Sequence, residues 1–225
     1  MDKNPRPTHT VRHILLTLAA LPFLLPFFYF IVPPPSTLML ARWFSLQPVE
    51  RDWMPISQLS PHLIAAVVSA EDGAFCDHFG FDFKQMEKSM ARAKSIGAAR
   101  GASTISQQTA KNLFLWNGRS WVRKALEAPL TLWLELVWSK QRILEAYLNI
   151  AEWGDGIFGA EAAARHYFGV SAHDLSSRQA ALLAAALPNP VRRSAASPGM
   201  GQLLYGLRIE QRMNSARPDL SCIGR

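Results

Sequence analysis

From residue 13 to residue 41 the chain carries no Asp, Glu, Lys or Arg, and residues 14–32 are dominated by Leu, Phe, Ile and Ala. Such a run is long enough for one membrane span of about 20 residues. Pro22 and Pro26 would disrupt a soluble helix but are tolerated in a bilayer. A cleaved signal peptide is the alternative. The apolar stretch is too long for one, however, and no small-x-small cleavage site closes it. It runs instead into Pro33-Pro34-Pro35, a stiff spacer. Lys3, Arg6 and Arg12 precede it, so the positive-inside rule keeps them in the cytoplasm and sends the rest outward. The expected organisation is a cytoplasmic tail over 1–12 and a transmembrane helix over 13–32. A linker or docking segment over 33–55, a folded domain over 56–215 and a loose tail over 216–225 follow.

With 225 residues, 49% of them hydrophobic, the chain can build one sizeable core, and its net charge of +7 points to an acidic partner. Nucleic acid, anionic lipid and phosphorylated substrates all qualify. Nucleic acid fits least, because the basic residues are interleaved with acids and no helix-turn-helix or aromatic stacking signature appears. Cys76 and Cys222 are too few for a disulfide framework, and their spacing leaves open whether they pair. There is no His-Glu-x-x-His and no Cys/His cluster with zinc spacing. Nothing alternates convincingly at period two, so the expected class is mainly α.

Residues 70–82 concentrate four acids and a histidine in one short stretch. An apolar helix precedes it, with Ser60 as N-cap and Pro61 at the first helical position. Glu71 then falls at that helix's C-terminal end, where the backbone dipole disfavours a negative charge and apolar neighbours raise the carboxyl pKa. That suits a general base or acid. On composition alone, a helix fraying into an acidic loop is the commoner explanation. Beyond it, Phe83, Met86, Met90 and Ala93 recur at helical spacing up to Gly97, and a basic loop over 95–102 follows. Ser103 is expected to cap a helix over 104–113, and a helix start behind a Gly-containing basic loop is a ready anion site.

A helix over about 121–138 presents Leu126, Leu130, Trp133 and Val137 as its apolar stripe. Arg123, Lys124, Glu127, Thr131 and Glu135 fall outside that stripe, and Pro129 implies a kink. Further helices are expected from Ser139, with Ile143, Leu144, Tyr147 and Leu148 inward, and over 158–168, 178–187 and 201–214, with 152–156 as a loop.

The order of these stretches resembles the five motifs of the peptidoglycan glycosyltransferases, the family that polymerises lipid II. Glu71-Asp72-x-x-Phe75-x-x-His78-x-Gly80-x-Asp82 resembles the first. Gly101-Ala102-Ser103-Thr104-Ile105-Ser106-Gln107-Gln108-x-x-Lys111-Asn112 is similar to the second, and Arg123-Lys124-x-x-Glu127 to the third. Ile143-Leu144-Glu145-x-Tyr147-Leu148-Asn149 is similar to the fourth, and 180–190 to the fifth. The likeness covers roughly 56–198 and is to the monofunctional branch. A transpeptidase domain is not expected, since the chain has no Ser-x-x-Lys and no Lys-Thr-Gly and ends too soon for one.

The resemblance implies a lysozyme-like, two-lobed fold with a membrane-facing jaw around 75–120. It implies an inverting transfer of a lipid-pyrophosphate-linked glycan to the 4-hydroxyl of an acceptor lipid II. Glu71 would be the base. Glu127 would stand on the leaving-group side, donating a proton or holding a divalent cation, Mg or Mn; no organic cofactor is implied. Arg123, Lys124, Lys111, Ser103 and Thr104 would clamp the pyrophosphate, and Gln107 and Asn112 would hydrogen-bond sugar or phosphate. The implied place is the inner membrane, single-pass, with the catalytic domain on the periplasmic side, beside other cell-wall synthesis proteins. Two rival readings are a glycan-cleaving lytic enzyme on the same fold and a non-enzymatic basic scaffold at the membrane.

Overall fold

The computed structural model describes residues 7–92, 101, 103–118, 120–215 and 217–224, with side chains for all of these except 7–10, 14, 15, 18 and 92. Of the basic loop over 95–102 only Gly101 is among the described residues; Lys94 and Arg100 lie outside them. Among the described residues the chain forms ten α-helices and one three-stranded sheet, which meets the expectation of a mainly α fold.

The centre is α3 (Pro61–Glu71), which opens as expected, with the Ser60 hydroxyl accepting from the His62 N–H and Pro61 at the first helical position. Leu63, Ile64, Ala66, Val67 and Val68 are all buried, so this helix is covered on most sides. Against it packs α9 (Ser177–Ala186), whose alanines permit a close approach, and both touch α10 (Met200–Ser215). Gly206 of α10 is needed at that contact, because a Cβ there would come within 3.2 Å of Leu182 Cδ2. A second layer pairs α5 (Ile105–Phe114) with α7 (Lys140–Ile150) and α6 (Trp121–Val137). The four inward residues expected of α7 are buried.

Between α3 and α5 lies α4 (Phe83–Arg92), whose Phe83 and Met90 are exposed. The turn before it needs Gly80, which sits at φ +79°, where a Cβ would lie 2.9 Å from Thr131 Cγ2.

Three expectations change. The segment 33–55 is a structured part of the fold, containing α2 (Thr37–Phe44) and β1 (Glu50–Arg51). Thr37 Oγ1 donates to the carbonyls of Leu115 at 2.5 Å and Asn112 at 3.2 Å. Asn149 accepts from the Met54 N–H at 2.8 Å and donates to the Met54 carbonyl at 2.9 Å, fastening the strand's exit to α7. The stretch 152–156 is a hairpin rather than a loop: β2 (Glu152–Gly154) runs antiparallel to β3 (Ile157–Phe158), which also pairs in parallel with β1. Strands of two or three residues are too short to alternate visibly, but Asp155-Gly156 is a hairpin-turn signal, with Gly156 at φ +75°. Finally, the tail is pinned rather than loose. A disulfide joins Cys222 to Cys76, across 146 residues of sequence, and Ile223 is buried. A cysteine pair distant in sequence becomes a staple only once the fold brings its halves together.

Of the remaining helices, α8 (Ala160–Phe168) closes on Gly169 in the left-handed conformation. At the N-terminus α1 (Pro7–Phe28) starts earlier and ends sooner than the expected span. Among the described residues no helix is long and apolar enough to cross a membrane. α1 lies on α6: Phe23 and Phe27 meet the Trp133 ring edge-on, and the Trp133 and Trp138 indole N–H groups donate to the Phe23 and Pro26 carbonyls, each at 3.0 Å.

Candidate active site

Two neighbouring acids part company at the end of α3. Glu71 is its last residue, and Asp72 leaves the helix at φ −160°. Asp72 turns inward. Its Oδ2 accepts from the Ile105 N–H and its Oδ1 meets His78 Nε2, both at 2.9 Å. It thereby satisfies an N–H in the first turn of α5 and ties the first motif to the second. Glu71, part-buried, faces α5 instead, where its Oε2 accepts from Gln108 Nε2 at 2.9 Å. Gln108 Oε1 in turn accepts from the buried Tyr147 hydroxyl at 3.1 Å. Burial pushes the Glu71 carboxyl above its ordinary value, with Asp72 adding to the rise and the Gln108 bond and Lys111 opposing it.

Sequence reasoning passed over Gln108 in favour of Gln107, and the structure reverses them. Thr104, not Ser103, is the cap of α5: its hydroxyl accepts from the Gln107 N–H at 3.2 Å while Gln107 Oε1 accepts from the Thr104 N–H at 3.0 Å. Thr104 Oγ1 also donates to the Gly80 carbonyl at 2.7 Å. Both side chains are buried and joined in this capping box. The signal was present, because Thr104 has a Gln three residues on and Ser103 does not. Ser103 stays exposed, with its hydroxyl 3.4 Å from Lys124 Nζ.

On α6 the expected stripe is rotated. Leu130 and Leu134 are buried, but so are Glu127, Thr131 and Glu135, whereas Leu126 and Leu136 are exposed. The polar face points into the protein because it carries the site and its supports. Glu135 accepts from Lys140 at 2.7 Å and from Ser106. Glu127, 3% exposed, accepts from Arg123 Nη1 at 2.7 Å and pairs with Lys124. The helix continues through Pro129, so Arg123, Lys124 and Glu127 share one helix with Leu130 and Leu134.

Lys111 of α5 stands between the two acids in charge: Glu127 and Glu71 favour its ammonium, while burial foremost, then Arg123 and Lys124, lower its pKa. One cavity is lined by Ser103, Gln108, Lys111, Arg123, Lys124 and Glu127. A second, sharing Ser103, includes Glu71, Lys88 and Arg212. A third, sharing Gln108 and Lys111, includes Asn112, Asn117, Tyr147 and Glu152. Of the residues singled out beforehand, Glu71, Ser103, Thr104, Lys111, Asn112, Arg123, Lys124 and Glu127 line this linked cleft, and Gln107 does not. The residues at Glu127 do not fit a divalent cation. Both carboxylate oxygens already face cationic side chains, and among the described residues no group of three or more His, Cys, Asp or Glu is placed to bind a metal.

Comparison with known proteins gives one consistent result. Residues 38–211 match the family model described as transglycosylase, which begins inside α2 and thus includes the docked segment. A biosynthetic peptidoglycan transglycosylase of Agrobacterium fabrum is 52% identical over 212 residues, covering 93% of each chain. One of Rhodospirillum centenum is 49% identical over 97% of this chain and 96% of its own. One of Ectopseudomonas mendocina is 58% identical over 74% of this chain and 72% of its own.

Proposed function

The chain belongs to the transglycosylase family and is a peptidoglycan glycosyltransferase; we propose that it polymerises lipid II into linear glycan strands. The observation that carries the substrate is the charge in the cleft beside Glu71. Lys111, Arg123 and Lys124 line it with a single carboxylate, Glu127, leaving a surplus of two positive charges. A lipid-linked pyrophosphate diester carries two negative charges, so it neutralises that surplus.

In this reading the acceptor's 4-hydroxyl approaches Glu71, one oxygen of which is held by Gln108. The carboxylate takes the hydroxyl proton as the sugar oxygen bonds to the donor's anomeric carbon. The bond from that carbon to the pyrophosphate oxygen breaks on the opposite face, and the leaving group departs with the electron pair. Pyrophosphate leaves as a stable anion, so Lys111, Arg123 and Lys124 need only stabilise charge. Glu127 holds the last two at a fixed separation, which favours a positioning task over proton donation. No step requires a metal at Glu127.

The same reading assigns a membrane surface. Trp121, Leu136, Phe44 and Leu46 are strongly exposed, as are Phe83 on α4 and Leu24 on α1. Exposed apolar groups in such number favour burial against lipid. We take the uncharged run over 13–32, which α1 covers only in part, as the single-pass anchor, the stretch around 75–120 as the jaw against the bilayer, and α3, α7, α9 and α10 as the lysozyme-like lobe. The Cys76–Cys222 disulfide supports the oxidising, periplasmic side.

The test compares Glu71→Gln with Asp72→Asn on purified full-length protein given lipid II in detergent, with products resolved by length. General-base catalysis contributes about 10²–10⁴-fold, so Glu71→Gln should retain at most about one per cent of activity. Asp72→Asn, which keeps an acceptor for Ile105, should lose less than about tenfold. Polymerisation by Glu71→Gln above a tenth of the wild-type rate would refute the assignment. Release of products from finished peptidoglycan, with lipid II untouched, would identify a lytic enzyme instead.

A further inference from the structure

We propose that Tyr147 is a positioning residue for the base: acting through Gln108, its hydroxyl holds the Gln108 amide in the one orientation that presents N–H groups to the Glu71 carboxylate. This rests on the reading of Glu71 as the base. The geometry is a directed chain from α7 through α5 to α3, with bonds of 3.1 and 2.9 Å. Tyr147 is 1% exposed and sits on a helix whose inner face is otherwise apolar apart from Asn149.

Chemistry fixes the direction. A carboxylate accepts only, so the amide must turn its NH₂ toward Glu71 and its oxygen toward Tyr147. Rotating the amide by half a turn would set its oxygen against the carboxylate and remove the acceptor that the hydroxyl proton uses. That arrangement suits only a protonated Glu71. Tyr147 keeps its proton, since burial first, and the nearby Glu71 and Asp72 next, push its pKa well up. It can therefore serve as a permanent donor at the far end of the chain.

The other groups around Glu71 do not duplicate this. Asp72 is engaged with His78 and the Ile105 N–H. Lys111 faces Glu71 from α5 as a charge. From α10, Tyr205 donates to the Ala70 carbonyl at 3.3 Å and Arg212 to the Ser69 carbonyl at 3.4 Å. Arg178 of α9 pairs with Glu210. Gln108 is the partner that bonds the Glu71 side chain directly; the carboxylate sets the direction of its amide, and the Tyr147 hydroxyl, donating to the amide oxygen, holds it there.

Tyr147→Phe removes one oxygen and keeps the ring in the core. Full-length Tyr147→Phe should lose roughly three- to thirtyfold in kcat, the worth of one hydrogen bond to such a network. KM for lipid II should be unchanged. The acid limb of its rate–pH profile should move to higher pH, because a freed amide no longer favours the carboxylate. In a Gln108→Ala background the same change should add less than about twofold, since the intermediary is gone. A wild-type profile in Tyr147→Phe would overturn the proposal. So would a loss confined to KM, or a loss of the same size with and without Gln108, either of which would mean that Tyr147 touches the substrate itself. Glu71→Gln, run alongside, separates the two claims: an active Glu71→Gln removes the base, whereas an inactive one beside an unaffected Tyr147→Phe removes only the relay.

Discussion

Glu71 and Glu127 are the same residue in opposite settings. Glu71 ends its helix with burial raising its pKa and a neutral amide, rather than a cation, bonded to one oxygen. Glu127 sits two turns into its helix with a cation on each oxygen. The first acid is kept basic and partly uncommitted, which is what proton abstraction needs. The second is spent on holding Arg123 and Lys124, which is what a binding site for anions needs. In the proposed reading one residue type serves two tasks because its neighbours, not its chemistry, differ.

The comparison breaks most visibly in activity. The loss in Glu71→Gln should fall on kcat alone. Arg123→Ala and Lys124→Ala should each lower activity by about one to two orders of magnitude, since a charge-assisted bond to phosphate is worth about 1.5–3 kcal/mol, with KM affected. Lys124→Ala should be the milder, because that side chain is 47% exposed and more screened than Arg123 at 13%. Wild-type kinetics in both would place the pyrophosphate elsewhere.

Stability should move in opposite directions at the two acids. Glu127→Gln leaves a mostly buried Arg123 without its counter-charge and should cost about 1–3 kcal/mol, read as a lower Tm. At Glu71 the folded pKa is raised, so the native chain binds more protons than the unfolded one between the ordinary carboxyl value and the raised one. The stability from that difference is complete below the ordinary value and lost as pH rises through the raised one. Glu71→Gln removes this titration. Its Tm should exceed the wild type's by a few degrees at about pH 8 and match it near about pH 4. Equal Tm shifts in the two variants would dissolve the contrast.

The smallest effect sharpens it. Gln107→Ala removes half of a capping box and should cost about 0.5–1 kcal/mol, leaving kcat/KM within about twofold. Denaturant melts and lipid II kinetics on one preparation check both, and a larger kinetic than stability effect would return Gln107 to the cleft.

Sequence by itself determined the helices that local chemistry dictates. Ser60-Pro61 marked the start of α3 and so put Glu71 at its end. Ser139 marked α7, and the helices expected over 158–168 and 178–187 correspond to α8 and α9. The order of five short motifs was enough to indicate the family, because each motif is contiguous. What escaped the sequence depends on which partner lies across a gap. A helical period reveals an apolar face but not which neighbour covers it, so the stripe expected on α6 came out rotated, with Leu130 buried but Leu126 exposed and Glu127 inside. Adjacent glutamines point about 100° apart on a helix, and only the packing of α3 against α5 and α7 decided that Gln108 meets Glu71 while Gln107 closes a cap. Cys76 and Cys222 are 146 residues apart, and no local rule joins them. Tertiary structure decided these because a hydrogen bond or a disulfide forms over a few ångströms, a separation that residues distant in sequence reach only when the whole chain has packed.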